Sequence, residues 1–367
     1  MLIDNITFFN LYNLIYFCTA CLVLVSALSS EIKKDVLFQN SLAQYLVAFP
    51  LISLVFLVGF REYNVGVDTQ SYYKNLWEDN IKVDFSGEFL LDLMALIFRY
   101  FDLSFTLFLF LISFLFYIFL YKALKKYTEI YNSNLLITFF SCISFFFFLS
   151  MSINVIRQGV SLSILLFACS LWLGDGNNRR ILMLLLLSLA FHSTSIIPFL
   201  IFLFCIFWGK FKVLPYFILF YFISICLAYI NIGFQNFSSI FLDFLENNSR
   251  SNYFSGEDYG YQIGFKPQFV VFNTLFLLIG LYVRNGILNI HLKNKYDILM
   301  SYYIISSIFL FMAFQLPYSD RWGLFSWFVI PFLISPLFYS PFIKRNIRIQ
   351  YIVMLVLIYL GFNFYAS

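Results

Sequence analysis

Residues 181–208 read ILMLLLLSLAFHSTSIIPFLIFLFCIFW. The run is 28 residues long and nearly all hydrocarbon. One polar patch, His192-Ser193-Thr194-Ser195, interrupts it, and Pro198 follows. An α-helix rises about 1.5 Å per residue, so each half, roughly 11 to 13 residues, is shorter than a bilayer core of about 30 Å. If the run crosses once, every later loop lies on one side of the membrane. If it enters and returns, every later loop lies on the other.

The basic residues favour the second reading, because short cytoplasmic loops collect Lys and Arg. With a broken pair at 181–208, the short loops 29–41, 122–134, 174–180, 209–212, 284–296 and 341–348 share one side. They hold 15 of the 23 Lys and Arg. The long loops 61–102 and 234–268 then face outward, with both termini. The other apolar runs lie near 6–28, 42–60, 103–121, 135–151, 155–173, 213–233, 269–283, 297–316, 322–340 and 349–364. The expectation is an all-α polytopic membrane protein of about twelve helical segments in one integral domain, with His192 at the outward tip of a short pair.

Composition gives the same class. The 367 residues are 62% hydrophobic and 11% charged, with a mean hydropathy of +0.85. Soluble domains carry about 25% charged residues. Lipid admits only helices or closed barrels, and runs this long without a period of 2 are not barrel strands. A secreted disulfide scaffold, a cytosolic enzyme and a nucleic-acid binder are excluded. The net charge of +4 carries no information about partners. No Lys or Arg precedes the first apolar run, unlike a secretory signal peptide. Cys18 and Cys21 form a C-x-x-C with no second pair nearby, so they read as packing residues rather than metal ligands. No metal or cofactor site is expected.

Ionisable groups at membrane depth are costly and mark function. In the orientation above, Arg61, Asp68, Arg157, His192, Asp320 and Arg321 come from distant parts of the chain to one level, the outer leaflet. Guanidinium groups bind phosphate oxygens in bidentate fashion, and an outer-leaflet anion with a lipid tail suggests a polyprenyl diphosphate. The plainer reading, snorkelling to headgroups, stands beside it for Arg61 and Arg321. It is weaker for Arg157, which Asn154 and Gln158 flank on an otherwise apolar helix. His192 at a helix break is either a proton acceptor for a hydroxyl or a packing residue. His291, in a basic inner loop, reads as inert. Asp68, after Gly66, either caps a helix or contacts a polar substrate. The stretch 85–102 places Phe89, Leu90, Leu93, Met94, Ile97 and Phe98 opposite Glu88, Asp92, Arg99 and Asp102, which reads as an amphipathic helix on the outer interface. A second such stretch is 237–245, followed by Tyr253, Tyr259 and Tyr261 among glycines.

Four pieces together resemble the EpsG family, close to the Wzy-type polymerases of bacterial surface polysaccharides. They are Arg61 with Val65-Gly66-Val67-Asp68-Thr69 and Tyr72; Asn154-Val155-Ile156-Arg157-Gln158; Phe191-His192-Ser193; and Asp320-Arg321. The resemblance implies a GT-C-like glycosyltransferase that joins undecaprenyl-diphosphate-linked oligosaccharide units at the outer face of the bacterial cytoplasmic membrane. It implies His192 as base, Asp68 as a residue positioning the acceptor or the imidazole, and Arg157 on the diphosphate. Arg61, Thr69, Tyr72, Gln158, Asp320 and Arg321 are the expected substrate contacts, and a chain-length regulator protein is a candidate partner. The three loop tyrosines either stack on sugars or pack the loop. Three other readings compete: an O-antigen ligase-like transferase, a flippase for lipid-linked sugars, and an acyltransferase. A flippase needs charges through the midplane, whereas the candidates here gather at one face. An acyltransferase needs a histidine toward its cytoplasmic donor.

Overall fold

The computed structural model describes residues 2–33, 36–78, 83, 88–208, 213–237, 263–344 and 347–365. It is 81% helical with no strand among the described residues, which decides for helices over a barrel. The chain forms two compact units, one of Met1–Phe199, Gly286–Leu288 and Ile334–Ser367, the other of Leu200–Asn285 and Asn289–Leu333. Among the described residues five helices are long and apolar enough to cross a membrane, or six with one bent pair. Tyr253, Tyr259, Tyr261 and most of 237–245 lie outside the described residues.

The first unit begins with α1 (Asn5–Lys33), α2 (Val36–Leu46) and α3 (Ala48–Gly59). The segment that follows holds α4 (Thr69–Tyr73), a π-helical turn at Lys74–Glu78 and α5 (Leu90–Tyr100). Then come α6 (Phe105–Tyr131), α7 (Leu135–Ile143), α8 (Phe146–Ile153), α9 (Ile156–Leu173) and α10 (Asn178–Phe191). Helix α11 (Ile196–Trp208) leads into the second unit, which holds α12 (Leu214–Tyr229), α13 (Pro267–Gly286), α14 (Ile290–Met312) and α15 (Ser319–Trp327). The short α16 (Ile330–Ile334) leads back to the first unit, which α17 (Ile347–Tyr365) completes.

Helix α9 is the centre of the first unit, 89% buried and flanked by α6 and α10. Lipid offers no hydrophobic drive between helices, so close packing comes from small residues. Gly159, Ser161, Ser163, Ala168 and Ser170 supply them, all buried. A Cβ at Gly159 would overlap the Met151 carbonyl of α8. Gly59 likewise lets α3 meet Phe110 of α6, where Ser113 Oγ donates to Val55 O at 3.0 Å.

The apolar run 181–208 breaks where its polar patch falls. Helix α10 ends at His192, whose φ of −157° and ψ of 114° are extended, and a 3-10 turn at Ser193–Ser195 opens α11. Two other runs break where the hydropathy shows no interruption. Residues 135–151 form α7 and α8, bent by 79° at Ser144-Phe145. The turn's groups are satisfied internally, as lipid requires. Ser144 Oγ donates to Phe140 O at 2.8 Å, and Tyr16 OH lies 3.1 Å from it while donating to Leu357 O at 2.9 Å. The run 322–340 divides near Pro331 and Pro336, which lack an N–H, into α15, α16 and a 3-10 turn.

The second unit is tied by buried polar bonds. Trp327 Nε1 donates to Asn273 Oδ1 at 2.8 Å, and Tyr303 OH donates to Asn273 O at 2.7 Å. Arg284 grips Asp297 with two bonds of 2.5 and 2.8 Å between α13 and α14.

Replacing Gly159 by Val forces a branched side chain into the Met151 carbonyl. Overpacking of this kind costs roughly 1–3 kcal/mol, so Gly159→Val should lower the melting temperature of the detergent-solubilised protein. An unchanged melting curve would show that α8 and α9 do not approach this closely.

Candidate functional site

The segment after α3 is clamped rather than loose. Ile3 bridges its two flanking partners through the backbone, its N–H donating to Phe60 O and its carbonyl accepting from Glu62 N, both 2.9 Å. Arg61 turns inward and is 1% exposed. It donates to Val58 O at 2.5 Å, Ile153 O at 3.3 Å and Thr69 Oγ1 at 3.4 Å. Burial pushes its pKa down to about 10, so it remains charged at neutral pH. Gly66 has a φ of +87°, and a Cβ there would meet Asn154 Oδ1 at 2.7 Å. That oxygen accepts from Val67 N at 2.8 Å. The segment after α3 is thereby fixed onto the α8–α9 junction at Asn154, three residues before Arg157. Thr69 is buried in the same clamp, its hydroxyl 2.8 Å from Val65 O.

Asp68 stands at the start of α4 without a side-chain cap bond and is half-exposed. Four residues on, Tyr72 shares its helix face and lies under the Arg157 guanidinium, 6.0 Å from ring centre to Cζ.

The amphipathic stretch forms α5, and its apolar Phe98 packs on Phe108 of α6 at 5.8 Å. Leu96, Ile97 and Tyr100 are exposed, whereas Leu91 and Ala95 are buried. The acidic stripe turns to the protein. Asp92 Oδ1 accepts from Arg157 Nη2 at 3.0 Å, and Glu88 Oε2 lies 3.7 Å from Arg157 Nη1. Glu88 Oε2 is also 3.1 Å from His192 Nδ1. Its other oxygen, Oε1, accepts from Ser193 Oγ at 2.8 Å and Ser193 N at 3.3 Å.

One turn deeper, hydroxyls set the register of the two helices. Ser161, four residues after Arg157, donates to Ser188 O at 2.6 Å, and Ser188, four residues before His192, donates to Ser161 O at 3.0 Å. Ser161 also bonds Ser195 in the 3-10 turn. This network holds the break in α10 against the start of α9, so Arg157 and His192 sit side by side. Gln158 is buried on the same turn.

The first unit thus gathers Arg157, His192 and Tyr72 around Glu88 and Asp92. Arg61 and Thr69 support it from behind. Asp320 and Arg321 belong to the second unit, where Arg321 stacks 4.6 Å over Tyr318 and Lys266 donates to Ser319 Oγ at 2.6 Å.

A model of the EpsG family matches residues 44–367, nearly nine-tenths of the chain. The chain belongs to the EpsG family. No curated protein and no solved structure matches it. EpsG membership carries an association with membrane proteins of the polysaccharide-polymerase, glycosyltransferase type. Every residue of the cluster lies inside the matched span. The two carboxylates at its heart, Glu88 and Asp92, were read from the sequence only as the polar stripe of an interfacial helix. Their spacing of four on a helix with one apolar side was the available signal.

Burial holds the Asp92 carboxyl above its usual range, Arg157 offsets part of this, and Glu88 adds to it. A folded pKa above the unfolded one means that ionised Asp92 costs stability at neutral pH. The cost fades as pH falls through the raised value toward 3.8. Asp92→Asn should therefore flatten the acid side of the melting-temperature profile, and an unaltered acid limb would contradict this placement. Ser161→Ala removes the hydroxyl's bonds to Ser188 O and Ser195 while the Ser161 carbonyl still accepts from Ser188 Oγ; it should cost about 1–3 kcal/mol, read as a lower melting temperature with normal membrane insertion.

Proposed function

We propose that this EpsG protein is a polysaccharide polymerase that joins undecaprenyl-diphosphate-linked oligosaccharide units at the outer face of the cytoplasmic membrane. The observation that carries the reading is a guanidinium and an imidazole held within reach of one carboxylate, on an outer segment pinned to the membrane helices. In this reading the chain has about twelve helical segments in a GT-C-like arrangement, with both termini outside.

In the reaction an acceptor hydroxyl attacks the anomeric carbon of the growing glycan, and the bond from that carbon to the diphosphate breaks. His192 takes the hydroxyl proton. The leaving diphosphate gains negative charge as the bond lengthens. Arg157 turns its donors from Asp92 to those oxygens, and one such donor is worth about 10²–10³ in rate. Asp68, uncommitted at the head of α4 and on the same face as Tyr72, positions the acceptor. Arg61 contributes by keeping that segment against Ile153 and Asn154. In-line attack inverts the anomeric centre.

Arg157→Ala and His192→Ala, expressed at wild-type level in the producing cell, should abolish long polysaccharide and leave single units on the carrier outside. Long chains persisting in either variant would refute the assignment, and units trapped inside would indicate a flippase. On a cysteine-free background, Ser193→Cys should react with an impermeant thiol reagent from the outside of intact cells. Labelling only after permeabilisation would reverse the orientation.

A further inference from the structure

We propose that Glu88 is a positioning residue that fixes the ring proton of His192 on Nδ1, leaving Nε2 as the basic nitrogen; this rests on His192 being the base of the reaction above. The two carboxylate oxygens have separate duties. Oε1 is committed to the Ser193 N–H and hydroxyl, so the carboxylate is tied to the very break that presents the imidazole. Oε2 stands 3.1 Å from His192 Nδ1, a charge contact rather than an aligned hydrogen bond. An ionised carboxylate repels a lone pair turned toward it and only accepts hydrogen bonds, so a neutral imidazole this close to it favours its hydrogen on that nitrogen. Arg157 Nη1, 3.7 Å from Oε2, favours the ionised form. When the acceptor's O–H bond breaks, its proton joins Nε2, and the imidazolium so formed stands beside a negative charge until it releases the proton to water.

The amide Glu88→Gln gives the sharpest contrast. Gln has one acceptor oxygen, which takes the place of Oε1 opposite the Ser193 N–H and hydroxyl. The amide NH₂ then faces Nδ1, which must turn acceptor, and the ring hydrogen moves to Nε2. The variant keeps size and shape yet loses the base.

The chain has only two histidines, so on a His291→Gln background the imidazole signals come from His192 alone. The full-length protein, carrying ¹⁵N-histidine and placed in lipid nanodiscs, should show the Nδ1–H tautomer by nitrogen–carbon-proton correlation NMR, and Glu88→Gln should show Nε2–H. An Nε2–H tautomer in the unmodified site, or the same tautomer in both proteins, would overturn the proposal. In cells, Glu88→Gln should reduce polymer by about 10²–10⁴-fold, the range of general base catalysis. Glu88→Asp should recover part of it, and Glu88→Gln with His192→Ala should be no worse than His192→Ala alone. Long chains in Glu88→Gln but not in His192→Ala would defeat Glu88's role while sparing the polymerase reading. Long chains in His192→Ala with the tautomer still switching would defeat the base assignment and leave the orientation by Glu88 standing.

Discussion

A carboxylate set among membrane helices is tolerable only where cations and hydrogen-bond donors meet it, and Glu88 is met on every side. Arg157, His192 and both donors of Ser193 converge on its two oxygens. The partners come from the starts of α5 and α9 and the end of α10, so one charged group joins three elements that are far apart in sequence. The serine network of Ser161, Ser188 and Ser195 lies one turn below and keeps these ends in register. The Arg61 clamp fixes the segment before α4 on the far side. The site is thus built from helix ends rather than from a flexible loop.

This arrangement suits transfer from a lipid carrier. In the proposed reaction Arg157 and His192 act from helix ends, so that a polyprenyl tail remains in lipid while its diphosphate reaches Arg157. The cation is already balanced by Asp92 and Glu88, which lowers the cost of holding it half-buried before substrate arrives. A diphosphate competes for donors that are in place and oriented, so little rearrangement accompanies charge development.

The sequence made the membrane class, the break at His192 and the unusual setting of Arg157 legible. A polar patch in a 28-residue apolar run and a lone arginine on an apolar helix are large departures from what lipid permits. The bend at Ser144-Phe145 left no such mark, because its turn is satisfied by Phe140 and Tyr16, which read as filler. Arg61 looked like a headgroup or phosphate ligand, whereas its neighbours Val58 and Ile153 offer buried carbonyls that only folding reveals. Periodicity shows both faces of α5 but not the partners of Glu88 and Asp92, which are Arg157 and the break at His192, remote in sequence and brought to them only by folding.

The central claim is spatial: Glu88, just before α5, touches the break that carries His192. It is tested most directly by pairing Glu88→Cys with Ser193→Cys on a cysteine-free background and adding a short bifunctional thiol reagent to native membranes. Mass spectrometry should recover a peptide joining residues 88 and 193 in high yield, with no such product when the second cysteine is placed on the lipid-facing side of α5 at Tyr100. Equal, low yields for both pairs would contradict the account.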